Sequence, residues 1–358
     1  MTLADFLSDF PRRDWETVTD SDERVRFALV GLGWFTTEMV VPALRDSDRC
    51  EIGALVSGLA EKAARLRDET GADRALSYEE FHEGEGSETY DAVYIATPNA
   101  THLEFVETAA DLGKAVLCEK PMEVSVARAE RLVAVCDEAG VQLMVGYRIH
   151  TNPAVRRMRE LVRDGFIGEP ALVEGSMYQN VFEQISPDPN QWRLDADLAG
   201  GSALIDLGIY PLNTARFVLD ADPVSAQGTT RSPHEQFGEV DQHVSFEVAF
   251  DNGVIAACVA SQYAQKGSSF SVTGTEGRLT LSPAFFGEAG LTVERDDTEA
   301  VLSVAPVDEE REEFDYFADC LLAGRDPEPD GEHGLVDMRA VEAIYESAET
   351  GERVAVER

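Results

Sequence analysis

Lysine is almost missing from this chain. Only four of its 30 basic residues are lysine (Lys62, Lys114, Lys120 and Lys266), set against 68 Asp and Glu, for a formal net charge of −38 at pH 7. A surface of that sign repels a phosphate backbone and anionic lipid, which excludes sequence-independent nucleic-acid binding and adhesion to acidic membranes. No apolar run approaches about 18 residues, so no membrane span is expected. The opening segment MTLADFLSDFPRRDW lacks a basic region followed by an apolar stretch, so no signal peptide is expected either. Cysteine is also scarce: five residues, an odd number with no CxxC pair and no metal spacing, which suits a reducing cytoplasm and predicts no metal site.

What is present is enough for real cores. The 358 residues are 44% hydrophobic, which at roughly 150 residues per domain predicts about two domains. A globular protein of 39.2 kDa exposes roughly 14,000 Å². Spread over that area, the carboxylates lie about 15 Å apart. This is inside the ~30 Å Debye length of 0.01 M salt and outside the ~3 Å of 1 M salt. Self-repulsion should therefore strain the fold at low salt, as it does in halophiles.

The order of segments predicts the architecture. Residues 1–24 are polar and acidic and read as an arm. Short apolar strands at 25–30, 51–57, 92–96, 115–118 and 142–145 alternate with helices of 10 or more residues. That pattern predicts a parallel sheet with helices on both faces over residues 25–147. Residues 148–358 carry longer alternating strands (172–178, 243–250, 254–260, 269–273). The turn Asp251-Asn252-Gly253 signals a hairpin there. A mostly antiparallel sheet with helices near 154–164 and 202–219 on one face is expected. The stretch 293–332, with 15 Asp and Glu against three Arg, reads as a solvated face, and a last helix spans about 334–348.

Gly31-Leu32-Gly33-Trp34-Phe35-Thr36 follows the first strand and opens a helix, the context of a dinucleotide-binding turn. Gly31 permits the turn and Gly33 the approach of a pyrophosphate to the helix N-terminus; Thr36 replaces the usual third glycine. The second strand ends Val56-Ser57-Gly58 with no acid for ribose hydroxyls, and Lys62 and Arg65 follow one turn apart. A hydroxyl with a nearby cation suits the 2′-phosphate of NADP, where a carboxylate would repel it. At the next strand end come Thr97-Pro98-Asn99 and His102; Asn99 can face the cofactor, cap its helix, or both. Glu119-Lys120-Pro121 leaves another strand toward the same crevice, and Lys120 there can hydrogen-bond a substrate hydroxyl. Asp206, Tyr210 and Asn213 fall at i, i+4 and i+7 of a helix entered through Gly200-Gly201. By themselves they fit a capped, half-exposed helix face as well as a site. Pro211 is expected to kink that helix.

Together, GLGWFT at 31–36, TPN with His102, EKP at 119–121, GYR at 146–148 and WR…GG…D…GIY at 192–210 resemble the glucose–fructose oxidoreductase/inositol dehydrogenase/MocA family, over about residues 25–350. The resemblance implies a Rossmann domain followed by an α+β domain with a large, open-faced sheet. It implies NADP as cofactor and oxidation of a cyclic aldose at C1, with D-xylose the first choice, to a lactone that water opens. Lys120 and Asp206 would position the sugar. Tyr210 would act as general base, a role that needs a nearby cation because tyrosine titrates near pH 10. The cofactor would meet Gly31, Gly33, Trp34, Phe35, Ser57, Gly58, Lys62, Thr97, Pro98, Asn99, His102, Glu119, Lys120, Trp192 and Arg193. Arg148 would touch sugar or nicotinamide ribose. Pairing through the open sheet face would give a homodimer or homotetramer. An aldose–ketose oxidoreductase that retains its NADP and a non-catalytic NADP sensor are the competing expectations.

Overall fold

Short apolar runs pair in parallel where helices bury both of their faces. Six runs do so in the computed structural model, which describes residues 10–18 and 22–357. They are Val25–Val30 (β1), Cys50–Val56 (β2), Arg74–Leu76 (β3), Ala92–Ile95 (β4), Ala115–Glu119 (β5) and Leu143–Gly146 (β6). Their order is β3-β2-β1-β4-β5-β6, with every neighbour parallel. Helices Ala60–Thr70, His102–Asp111 and Val126–Ala139 are among the connections. The helix after β1 opens with a π-helical turn, Thr36–Val40, before Val41–Arg45.

This unit comprises residues 15–148 and 308–335, so the linear division at residue 148 needs correction. The acidic stretch 293–332 is not one solvated face. It contains the helix Glu309–Ala323, in which Glu310, Glu312, Glu313, Asp315 and Asp319 are all buried. Phe314 and Phe317 draw it in: Phe314 meets Phe27 of β1 edge-on at 4.9 Å, and both join the core beneath β1 and β2. The expected N-terminal arm is likewise partly fold. Trp15 is buried edge-on against Tyr316 at 5.5 Å, and Thr17 and Val18 donate to Asp319. Residues 1–9 and 19–21 of that arm lie outside the described residues.

The second unit holds residues 149–307 and 336–357, with 10–14. Its strands are Pro170–Asn180 (β7), Pro223–Arg231 (β8), His243–Phe250 (β9), Ile255–Ser261 (β10), Tyr263–Gly274 (β11), Gly277–Leu281 (β12), Leu291–Arg295 (β13), Thr298–Leu302 (β14) and Val354–Ala355 (β15). They form one nine-stranded sheet in the order β14-β13-β12-β11-β7-β10-β9-β8-β15. Only β7 and β10 pair in parallel. The β9–β10 hairpin turns through Gly253 at φ +87°. The helix Ile209–Leu219 packs on β7 and β10, where a Cβ on Gly175 would lie 2.4 Å from the Pro211 side chain. Alternation leaves the other face open, with Leu172, Ile255 and Val259 exposed on adjacent strands.

Candidate active-site elements

In the parallel sheet the connections from β1 and β4 diverge, and the carboxyl ends of those two strands are where such folds take a dinucleotide. Gly31 sits there at φ +91°, and a Cβ on it would lie 2.6 Å from the Ala96 carbonyl oxygen. Only glycine fits. A Cβ on Gly33 would meet nothing within 4 Å, so the backbone faces open space. The missing third glycine has a structural explanation. Buried Thr36 donates its hydroxyl to the Gly31 carbonyl at 2.7 Å, clipping the turn to the π-helical entry of the helix. Trp34 beside it is 57% exposed and Phe35 is half-buried.

At the end of β2, buried Ser57 accepts from the Leu59 amide at 3.1 Å, so its hydroxyl hydrogen is still available to donate; Gly58 is exposed. Lys62 has no ion-pair partner among the described residues, whereas exposed Arg65 lies 4.0 Å from Glu69. This strand end thus offers a hydroxyl and a cation, with no carboxylate at the turn, and so fits the 2′-phosphate of NADP. After β4, the Thr101 hydroxyl donates to Thr97 at 2.8 Å, Pro98 is half-buried and Asn99 is buried in a 3₁₀ turn. Asn99 does not cap the next helix: Thr101 holds that position, without a side-chain cap bond. His102 sits within the scaffold of this strand end. It is 1% exposed, its Nε2 lies 2.9 Å from the Thr97 carbonyl, and its Nδ1 lies 3.5 Å from the Cys118 thiol. Burial pushes the ring's pKa down, so it stays neutral and ties β5 to the loop after β4.

The Lys120-Pro121 bond is cis. Lys120 leaves β5 beside a set of ionisable groups that the sequence reading did not assemble. Fully buried Tyr94 of β4 donates to Glu119 at 2.8 Å. Arg148 pairs with Glu309 and lies 4.0 Å from Glu310, so it is engaged by the Glu309–Ala323 helix within its own unit. Glu313 on that helix is 2% exposed, and its Oε1 has no hydrogen-bond partner. Burial raises the Glu119 carboxyl, against Lys120, Tyr94 and Arg148. Burial, then Glu119 and Glu310, hold Glu313 well above the usual carboxylate range. Each of these two carboxyls opposes the ionisation of the other. The clue was the spacing of Phe314, Phe317 and Leu321, a core-facing period hidden by the acids around it.

In the second unit, Asp206 lies in a π-helical turn, Ala203–Gly208, that runs into the helix Ile209–Leu219. Pro211 falls just after the junction, where a missing N–H is easily absorbed. From 203 to 219 every residue is buried except Asp206 and Tyr210, which are half-exposed. Asn213 does not share their face. It is buried, with its amide oxygen 2.7 Å from His150 Nε2 and its NH₂ donating to Asp337 at 2.7 Å. Tyr210 packs against Phe285 at 5.7 Å between ring centres. Asp206 Oδ2 accepts from Gln262 at 2.8 Å and lies 3.7 Å from Arg193, whose guanidinium stacks on Trp192 at 4.4 Å.

The start of this turn is pinned by Asp241, which accepts from the Ser202 and Leu204 amides at 2.7 Å and from the Tyr345 hydroxyl at 2.8 Å. A Cβ on Gly201 would lie 2.1 Å from that hydroxyl, which explains the second glycine of the pair. Asp241, Gln262 and Tyr345 went unnoticed in the sequence because single polar residues in strands and helices carry no spacing signal.

A parallel sheet with its switch point lined by Gly31 and Gly33, joined in one chain to a second unit whose helix presents a carboxylate and a phenol, defines a dinucleotide-dependent oxidoreductase. Comparison with known proteins agrees. Residues 25–147 match the oxidoreductase family with an NAD-binding Rossmann fold, and residues 155–280 match the GFO/IDH/MocA C-terminal domain. The chain belongs to this family. It is 50% identical over its full length, and that of the relative, to D-xylose 1-dehydrogenase [NADP(+)] of Haloarcula marismortui. A D-xylose 1-dehydrogenase (NADP(+)) of Haloferax volcanii is 33% identical over 92% of this chain and 99% of its own. The crystal structure of an aldose-aldose oxidoreductase from Caulobacter crescentus, complexed with glycerol, superposes with TM-score 0.88. It is 33% identical and spans 93% of this chain and 99% of that one.

Proposed function

We propose that this enzyme oxidises an aldopyranose at C1, D-xylose first among candidates, to the sugar lactone with NADP⁺. The observation that carries the cofactor choice is the end of β2, with Ser57 and Lys62 present and no acid at the turn. NADP⁺, when bound, supplies the hydride acceptor. The chain's own groups do the rest. Tyr210 takes the proton of the anomeric hydroxyl, Lys120 hydrogen-bonds a sugar hydroxyl, and Asp206 fixes the sugar's orientation. Gly31, Gly33, Trp34, Phe35, Ser57, Gly58, Lys62, Thr97, Pro98, Asn99, Glu119 and Lys120 frame the cofactor, with Trp192 and Arg193 as further contacts. Arg148 acts from behind, through Glu309 and Glu310.

The setting is a saline cytoplasm, in keeping with the charge of −38 and five free, buried cysteines. Among the described residues no helix is long and apolar enough to cross a membrane. Exposed Leu172, Ile255 and Val259 support association of two or four copies through the open sheet face. The likeness to an aldose-aldose oxidoreductase favours one competing reading, in which NADP stays bound and a second sugar is reduced.

One experiment separates these readings: initial rates for xylose, glucose, arabinose and inositol with NADP⁺ and NAD⁺ in molar salt. Xylose with NADP⁺ should lead, and Lys120→Ala should lower kcat by about 100-fold or more. Equal turnover in Lys120→Ala sinks the mechanism, and a preference for NAD⁺ sinks the assignment of Ser57 and Lys62. Sugar reduction by dialysed protein without added nucleotide establishes the competing reading.

A further inference from the structure

We propose that Gln262, supported by Gln179, is a positioning residue that holds Asp206 as a carboxylate aimed at the sugar. The inference rests on the proposed role of Asp206. Gln262 is wholly buried, and both of its backbone groups are bonded: its N–H donates to Gln242 at 3.0 Å and its carbonyl accepts from Val181 at 2.9 Å. The side-chain NH₂ donates to Asp206 Oδ2 at 2.8 Å. The side-chain oxygen accepts from the amide of Gln179, on β7, at 2.8 Å. An amide has one donor end and one acceptor end. The Asp206 carboxylate can only accept, so it takes the Gln262 NH₂, and the Gln262 oxygen is left to accept from the Gln179 amide. Flipped, Gln262 would face a carboxylate with a carbonyl and a donor with a donor. Gln179 thus satisfies the far end of the Gln262 amide and supports that orientation.

A neutral donor also suits the task. It stabilises the carboxylate through a charge-assisted hydrogen bond without cancelling its charge. The cation on that side, Arg193, is 3.7 Å away, stacked on Trp192, too far for a hydrogen bond. The ionisable groups around this contact include Arg193 on the 192–194 turn, Tyr210 on the following helix, His243 on β9, which bonds Ser261 next to Gln262, and Asp241 with Tyr345, which hold the start of the turn that carries Asp206.

The test measures kcat, KM for sugar, KM for NADP⁺ and the pH profile of kcat/KM in Gln262→Leu, Gln179→Leu, the double variant and Gln262→Glu. Asp206→Asn serves as control. Gln262→Leu should lower kcat/KM for the sugar about ten-fold and leave KM for NADP⁺ unchanged. The lost donor should move the acid limb up by about one pH unit, because the carboxylate form is less favoured. Gln179→Leu should give about a three-fold loss, which vanishes when Gln262→Leu is already present. Gln262→Glu keeps the volume and recovers a donor only when protonated, so its activity relative to wild type should climb as pH falls. It also stands in if the leucine variant folds poorly. A ¹³C titration of the Asp206 carboxyl, assigned by its loss in Asp206→Asn, follows the same shift without turnover. Coincident titrations and acid limbs in wild type and both Gln262 variants overturn the inference. Full turnover in Asp206→Asn instead overturns the reading it rests on.

Discussion

Two buried carboxyls on the Glu309–Ala323 helix, Glu313 and Asp319, stand six residues apart and are pushed in opposite directions. Asp319 is completely covered, yet Thr17 donates to it through both amide and hydroxyl, Val18 through its amide and Arg325 through its guanidinium. Burial raises its pKa, but these donors outweigh burial and the net shift is downward. Glu313 is equally covered and has an oxygen with no partner, so burial and the neighbouring carboxyls drive it up. Both are covered from solvent, but Glu313 lies deeper in the protein and has fewer donors, and the two differences together set the opposite directions.

The largest effect should come from breaking the satisfied one. Asp319→Ala strips four donors of their acceptor and leaves Arg325 unbalanced, a loss of about 3 kcal/mol. The cost should be read as a drop in denaturation midpoint measured in molar salt. The sign with pH follows from the lowered pKa: this stability is present above the unfolded value near 3.9 and lost as pH falls through the folded value. Wild type and variant should therefore converge on acidification. A wild-type midpoint in the variant at pH 7 would mean that the Trp15–Val18 segment adds nothing to the fold.

A smaller effect of the opposite sign is expected at Glu313. A carboxyl whose pKa is raised by folding costs stability as pH climbs from the unfolded value, near 4.3, toward the folded one. Glu313→Gln removes that cost, so the variant should be more stable than wild type at pH 7.5 by about 1 kcal/mol, with the gap closing toward pH 4. A variant that is less stable at pH 7.5 would show that Glu313 is ionised and usefully paired.

The same contrast explains what could be seen in the sequence. The parallel sheet, the hairpin at Asp251–Gly253, and the turn of Gly31 and Gly33 were legible because backbone conformation and period leave marks at fixed spacings. The helix carrying Asp206 and Tyr210 was legible as a helix. Its π turn and the burial of Asn213 were not, because one extra residue in a turn rotates everything after it without changing composition. Acid content misled most at 308–323. A Glu run looks the same whether water or Arg325 and Thr17 receive it, and the donors to Asp319 come from about 300 residues earlier in the chain. The bounds 25–147 coincide with the family's Rossmann match, but the return of the second half to that unit through Phe314 and Phe317 was hidden for the same reason.

The smallest expected effect sharpens the comparison through salt. Exposed acids such as those on the Ala60–Thr70 helix, where Glu69 lies 4.0 Å from Arg65 with both side chains more than half exposed, feel the full ionic atmosphere. Moving from 0.1 M to 2 M salt shortens the Debye length from about 10 Å to below ~3 Å, and wild type should gain stability as surface repulsion is screened. The Asp319–Arg325 contact is walled off from that atmosphere on the aspartate side. The Asp319→Ala penalty should therefore change by no more than about 0.5 kcal/mol across the same range, while the absolute midpoints of both proteins rise together. Paired denaturation curves at several salt concentrations check this. A penalty that fades with salt as fast as the surface term would place Asp319 among the screened acids, and the contrast between covered and coating carboxylates would not hold.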